Sequence, residues 1–252
     1  MRLHHRVLLT LLFGSVFVIG LISFAPASLM GSVLERASGG TLMLAQTTGS
    51  LWQGSGVVVL RQKARYQTLG NYRWNLKLFS AAFQVQAGEA APMTARYEPL
   101  AGRINIDSMH VTLPVSIIEI AAPQLGPYQL QGSLVASSDH LTLDAGRMDG
   151  QITMDWLGAA SALSTIRPLG DYRILLKGNG TALDAQLLTL SGKLQLTGNG
   201  TFDNASGMRF TGTAQAAPGT AAAELNELLH HIGPEISPGV FTLALMPQPG
   251  AR

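Results

Sequence analysis

Histidines and paired carboxylates are the side chains of this sequence that could bind a metal ion or transfer protons. The histidine candidates outside the amino terminus are His110, His140, His230 and His231. No H-x-x-x-H or H-E-x-x-H spacing occurs among them, and the adjacent His230 and His231 would point about 100° apart on a helix. We therefore interpret all four as ordinary surface or boundary residues and predict no metal site.

Carboxylate pairs such as Asp139 with Asp144, or Asp149 with Asp155, could serve as general acid and base. On polar strand faces and in turns such residues are more often simply solvated. A serine nucleophile needs a G-x-S-x-G elbow, which residues 54–56 do not supply, and the glycines lie between predicted strands rather than in phosphate-binding loops. The sequence therefore predicts no enzyme and no cofactor.

Composition limits the possible partners and compartments. Of the 252 residues, 46% are hydrophobic and 13% charged, and this charged share is about half that of an ordinary soluble domain. Arg2 and Arg6 precede the first apolar run, and the 15 other basic residues equal the 15 acidic ones in number. No basic patch for nucleic acid is indicated, and the absence of cysteine excludes disulfides and thiolate chemistry.

The amino terminus has the pattern of a membrane anchor. Residues 7–24 are uncharged over 18 positions, which is near the lower limit for a helix that crosses a bilayer. The preceding arginines predict that residues 1–6 stay in the cytoplasm and that the rest is exported. The alternative is a signal peptide cleaved after Ala27, since Ala25-Pro26-Ala27 offers small residues at the cleavage position. The apolar run is longer than the ~7–15 residues of a signal peptide, so we expect a retained anchor followed by a linker or short helix over residues 25–40.

From Thr41 onward the hydrophobic period is two, which is typical of half-buried strands. In one such strand the residues predicted to face the core are Tyr72, Trp74, Leu76 and Leu78, and those predicted to face solvent are Arg73, Asn75 and Lys77. A pattern of glycine, polar, aliphatic, polar, aliphatic begins at Gly102, Gly150 and Gly192 and suggests a weakly repeated multi-strand unit.

Asn-Gly pairs predict local hairpins. The sequence Gly-Asn-Gly-Thr occurs at residues 178–181 and again at 198–201, and Asn-Gly accepts the positive φ values of tight turns. Both sites, and Asn204, also match the N-glycosylation pattern, but a turn explains them without further machinery. We therefore expect a meander of antiparallel strands.

The helix signals are fewer. Leu225, Leu228, Leu229 and Ile232 form a helical stripe that predicts a helix over residues 220–232, which would cover one end of the sheet. Residues 114–122 fit a strand or a helix, residues 239–245 a final strand, and residues 248–252 a disordered tail. The predicted fold is mainly β: a single transmembrane helix at 7–24, then a long curved antiparallel sheet at 41–247 with one or two short helices.

Four regions together resemble the type II secretion system protein N family. They are Thr48-Gly49-Ser50-Leu51-Trp52-Gln53-Gly54, the strand Tyr72-Arg73-Trp74-Asn75-Leu76, the run from Leu169-Gly170-Asp171-Tyr172-Arg173 to 190–198, and the leucine-rich helix with the last strand. Ser50 replaces the threonine usual in the family. The signature residues, interpreted as structural, are Gly49, Ser50, Trp52, Gly54, Trp74, Gly170, Tyr172, Gly192 and Gly198.

The resemblance implies an accessory, non-catalytic inner-membrane component of the machine that exports folded proteins from the periplasm. Its partners would be other components of that machine. As a hypothesis, the exported domain binds them through one apolar sheet face and through sheet edges, whose unpaired N–H and C=O groups can accept a strand. The alternative is a lipid-binding or lipid-transfer protein, because an antiparallel sheet with one apolar face can hold acyl chains.

Overall fold

The computed structural model describes residues 20, 23–62, 65–77, 82–87, 93–98, 101–118, 123–144, 147–203, 207–219 and 222–245. They fall into two compact units, Met1–Pro92 and Met93–Arg252. The predicted mainly β, antiparallel architecture is confirmed in both units. No helix within the described residues has the length and hydrophobicity needed to cross a bilayer. Most of the predicted transmembrane segment 7–24 lies outside the described residues, as does the predicted tail 248–252.

From Ser28 onward, the described part of the first unit contains a helix and a meander in which each strand pairs antiparallel with the next. The helix occupies part of the segment 25–40, for which the sequence allowed a linker or a short helix. Ser38 ends this helix, and its hydroxyl oxygen accepts a hydrogen bond from the Leu42 N–H at 2.9 Å. The elements are α1 (Ser28–Ala37), β1 (Leu42–Gly49), β2 (Gln53–Gln62), β3 (Arg65–Lys77) and β4 (Ala82–Ala87).

Strand β3 confirms the two faces predicted from its alternation. Trp74 is buried and Tyr72 is half-buried, whereas Arg73 and Lys77 are exposed; Asn75 and Leu76, predicted on opposite faces, are both half-buried. Leu78, assigned to the core face, lies outside the described residues.

The second unit is a larger antiparallel sheet. Its order is β5-β6-β7-β9-β10-β11-β12-β13-β15-β14, and β8 pairs with both β6 and β9. The elements are β5 (Met93–Glu98), β6 (Arg103–Pro114), β7 (Gln131–Ser138), β8 (Leu141–Asp144), β9 (Arg147–Ala160), β10 (Gly170–Asn179), β11 (Ala182–Gly192), β12 (Leu194–Asp203), β13 (Gly207–Ala216), α2 (Ala222–Ile232), β14 (Glu235–Ser237) and β15 (Val240–Leu245).

Helix α2 covers part of one face of this sheet, as its leucine stripe predicted. Leu225, Leu228 and Leu229 are buried in a cluster that includes Tyr172 and Phe241. The helix packs against β13 and β15, and β15 is the predicted final strand. The main core of the second unit therefore lies between α2 and the sheet.

The ambiguous segment 114–122 contains the end of a strand and a turn of 3-10 helix. Strand β6 ends at Pro114, and the 3-10 turn Val115–Ile117 follows with Val115 buried. A second 3-10 turn, Pro123–Tyr128, brings the Tyr128 hydroxyl to donate to the His231 carbonyl of α2 at 2.8 Å. Residues 119–122 lie outside the described chain.

The two Gly-Asn-Gly-Thr sequences adopt different structures. The first forms the predicted turn, with Gly180 at φ +70° between β10 and β11. The prediction for the second is wrong, because residues 198–201 lie inside β12. The ring of Phe210, on the neighbouring β13, occupies the space beside them: a Cβ would lie 2.6 Å from this ring at Gly198 and 2.7 Å at Gly200. These two glycines make room for an aromatic ring rather than for a turn.

The glycine pattern that begins at Gly102, Gly150 and Gly192 reflects backbone conformation rather than a repeated unit. All three glycines have positive φ, at +64°, +122° and +122° respectively. Gly102 precedes β6, Gly150 lies within β9, and Gly192 ends β11. The similarity between these sites is thus one of residue pattern and not of position in the sheet.

Candidate functional site

Trp74 fixes the connection between β1 and β2 in the first unit. Its indole N–H donates to the carbonyl oxygens of Ser50 and Leu51, at 3.3 and 3.1 Å. The hydroxyl of Ser50 accepts a hydrogen bond from the Gln53 N–H at 3.1 Å, a bond that the usual threonine could also make. We call Gly49, Ser50, Leu51, Gly54 and Trp74 the first cluster.

The two glycines of the first cluster allow the indole ring of Trp74 to lie against the connection between β1 and β2. Gly49 has φ +88°, a conformation that favours glycine. A Cβ at Gly54 would lie 2.5 Å from the Cζ2 atom of Trp74, so any larger residue would displace the indole ring. Trp52 lies beside the cluster, half-buried, and its carbonyl accepts a hydrogen bond from the Leu76 N–H at 2.6 Å.

The first cluster also holds residues 25–27, which we call the neck segment. The Leu51 N–H donates to the Ala25 carbonyl at 2.8 Å, and the Ala27 N–H donates to the Gly49 carbonyl at 3.3 Å. Ala25 is 7% exposed and Ala27 is 3% exposed. The chain that leaves the predicted anchor is therefore packed into the signature turn of the first sheet.

The second cluster joins β10, β11 and β12 through Gly170, Tyr172 and Gly192. Tyr172 is fully buried, and its hydroxyl donates to the Leu194 carbonyl at 2.9 Å. Burial, and secondarily the charge of Asp171, raises the pKa of the Tyr172 phenol, so the hydroxyl stays a donor. Gly170 and Gly192 lie opposite each other, and a Cβ on Gly192 would collide with the Gly170 backbone. Gly198, the remaining signature residue of this unit, lies beside Phe210 instead.

Trp156, which the sequence analysis did not use, repeats the arrangement of Trp74. Its indole N–H donates to the Gln131 carbonyl at 3.0 Å, and its ring lies 5.4 Å from that of Tyr172. A Cβ at Gly132 would lie 2.8 Å from the indole nitrogen. The only sequence signal for this contact is that Trp156 is one of just three tryptophans.

The candidate catalytic and metal-binding residues do not converge in the described part of the chain. Asp155 forms two hydrogen bonds to Arg173, at 2.7 and 2.8 Å, which lower the pKa of the carboxyl group. Asp144 pairs with Arg103 at 3.4 Å, and the ring of His230 packs edge-on against Phe241. Within the described ranges, no group of three or more histidine, aspartate or glutamate residues could hold a metal ion.

The outward face of β9–β13 carries a shallow groove of about 630 Å³. It is lined by polar and charged side chains, among them Lys177, Asp184 and Arg209. These residues lie on the face opposite to Tyr172 and Leu196, so the groove is separate from the apolar core.

The comparison with known families agrees with the resemblance seen in the sequence. A family model described as "Type II secretion system (T2SS), protein N" matches residues 41–244, which is most of the chain and includes all nine signature residues. No curated protein and no solved structure matches the chain. The chain therefore belongs to the type II secretion system protein N family.

Proposed function

We propose that this protein is a non-catalytic scaffold of the type II secretion system, anchored in the inner membrane by residues 7–24 with both sheet units in the periplasm. Family membership supports a role in protein secretion. The observation that carries the proposal is the hold of the first cluster on the neck segment. Because the Leu51 N–H and the Gly49 carbonyl are hydrogen-bonded to Ala25 and Ala27, the signature turn connects the first sheet to the proposed anchor.

This arrangement also favours a retained anchor over a cleaved signal peptide. Cleavage after Ala27 would remove Ala25 and Ala27, which are buried in the first unit. It would leave the Leu51 N–H and the Gly49 carbonyl without these partners. A hydrogen bond of this kind contributes a net ~0.5–1.5 kcal/mol to stability, so the folded unit is more stable with the neck segment attached.

The sheet edges differ in how open they are to a partner strand. In the first unit α1 packs along β1, where a methyl group at Gly31 would lie 3.5 Å from Leu44 Cβ and 3.6 Å from Leu44 O. In the second unit, β14 pairs only with Val240 and Phe241 of β15. Within the described chain, residues 243–245 have no strand on that side. We propose that this open edge accepts a strand from another secretion component.

Replacing Ala244 by proline should abolish this interaction without unfolding the sheet. The Thr242 N–H points to the β14 side of β15 and donates to the carbonyl of Pro234, the residue before β14, at 2.9 Å. Since N–H directions alternate along a strand, the Ala244 N–H points to the same open side, and its loss spares the pairing with β13. The measurement is the recovery of secretion components with the full-length protein from crosslinked membranes.

We expect Ala244→Pro to reduce this recovery to background. Ala244→Val, which keeps the N–H, is the matched control and should recover as much as the unchanged protein. Equal recovery with both variants, at equal thermal stability, would show that the edge is not used.

A lipid carrier is the second candidate, and the inner face of the second unit favours it. Beyond the part covered by α2, this face continues with half-buried apolar residues, among them Ile104, Leu143, Ile152 and Leu176. Mass spectrometry of the gently purified protein separates the two candidates. Stoichiometric phospholipid supports the carrier, and a lipid-free protein that crosslinks to secretion components supports the scaffold.

A further inference from the structure

Helix α1 and the residue before the neck segment expose three large apolar side chains. Phe24 is 86% exposed, Leu29 is 45% exposed and Val33 is 57% exposed. Leu29 and Val33 are four residues apart, so they lie on the same side of the helix. Exposed apolar side chains in a row on a short helix are unfavourable in water and indicate a surface that is covered by a partner or a membrane.

The opposite side of α1 already has its partner within the first unit. Met30, Gly31 and Leu34 are only partly exposed, and the helix packs against β1 at Leu44. Leu29 and Val33 therefore point away from the sheet and do not contribute to this packing. Among the described residues of the first unit, none covers these two side chains.

The position of the stripe indicates what covers it. The uncharged run 7–24 ends at Phe24, and only the neck segment separates it from the start of α1. Three residues span at most about 11 Å when fully extended, and the neck segment is held in place by the first cluster. If residues 7–24 lie in the bilayer, α1 begins within about one headgroup layer of it.

The charged residues of α1 are also compatible with a position at the membrane surface. Glu35, its one acidic residue, lies 3.9 Å from Arg61 of β2. Arg36 is exposed in the last turn, on the side of Leu29 and Val33. A basic residue beside an apolar stripe is typical of helices that lie in the membrane interface, where the charge meets anionic headgroups.

We propose that α1 lies in the plane of the membrane interface, with Phe24, Leu29 and Val33 inserted at the boundary between headgroups and acyl chains. This inference rests on the proposed anchoring by residues 7–24. Because the other side of α1 packs on β1, a helix inserted in the interface fixes the position of the first sheet relative to the bilayer. The first unit is thereby held at the bilayer surface in one orientation.

The absence of cysteine allows a direct test by single-site spin labelling. Leu29→Cys and Val33→Cys are labelled in the full-length protein, which is reconstituted into vesicles of phosphatidylethanolamine and phosphatidylglycerol. Tyr66→Cys on β3 is the matched control, since Tyr66 is also apolar in character and 68% exposed. Accessibility is measured to oxygen, which concentrates in the bilayer, and to a nickel chelate, which stays in water.

We expect oxygen to exceed nickel at positions 29 and 33, and the order to reverse at position 66. Nickel accessibility at 29 and 33 equal to that at 66 would overturn the inference. Protection of 29 and 33 from both reagents would also overturn it, since a protein would then cover the stripe. The mass of each labelled sample shows separately whether the anchor is present, so a failure of the anchoring proposal is distinguishable from a failure of the interfacial helix.

Discussion

Replacing Tyr172 by alanine is expected to lower the free energy of unfolding of the second unit by about 3–5 kcal/mol, the range for loss of a large buried aromatic side chain. Tyr172 is fully buried, it packs beside Trp156, and its hydroxyl connects β10 to β12 at Leu194. Chemical denaturation of the full-length protein in detergent, followed by circular dichroism, measures the change.

Two further variants separate the ring of Tyr172 from its hydroxyl. Tyr172→Phe keeps the ring but leaves the Leu194 carbonyl without this donor, which costs about 1–3 kcal/mol. Tyr97→Ala is the control in the same unit, because Tyr97 is exposed on β5; a change within about 0.5 kcal/mol is expected there. If Tyr172→Ala were no more destabilising than Tyr97→Ala, the second cluster would not be structural.

Replacing Trp74 by alanine should destabilise the first unit by about 3–5 kcal/mol and also release the neck segment. The substitution removes the indole N–H from the Ser50 and Leu51 carbonyls and leaves the space beside Gly54 empty. The Leu51 N–H, which donates to Ala25, should then exchange faster with solvent.

Hydrogen exchange followed by mass spectrometry measures this second effect directly. Tyr66→Ala is the control, since it removes an exposed aromatic residue from the same strand. Unchanged exchange at residues 25–27 and 51 in Trp74→Ala would mean that the first cluster does not hold the neck segment.

Alternation of apolar and polar residues predicted the strands and their two faces. This was possible because the alternation lies within the sequence of each strand. The two identical Gly-Asn-Gly-Thr sequences show that four residues alone do not determine the local structure. Residues 178–181 form a turn and residues 198–201 lie within a strand, and what separates them is the ring of Phe210, on another strand. No pattern within four residues contains that contact.

Helix α1 shows a second limit of sequence reasoning. Its spacing allowed a helix, but an ordinary amphipathic helix would bury Leu29 and Val33. The structure instead places Gly31 toward β1 and exposes those two residues. The face that packs is chosen by close approach at a glycine, which a hydrophobic pattern does not reveal.

The site residues were predictable as positions but not as contacts. The family resemblance singled out Trp74 and Tyr172, and the structure shows that each donates a hydrogen bond to a backbone carbonyl. Trp156 and Gly132 make an equivalent contact that the sequence analysis missed. Backbone carbonyls are present at every residue, so an acceptor of this kind leaves no trace in the side-chain sequence.

The central claim is that the sheets are held outside the cytoplasm by an uncleaved amino-terminal segment, to which the first cluster attaches them. The intact mass of the protein extracted from inner membranes tests this claim most directly. We expect the measured mass to include residues 7–24. A mature protein that begins at Ser28 would contradict it.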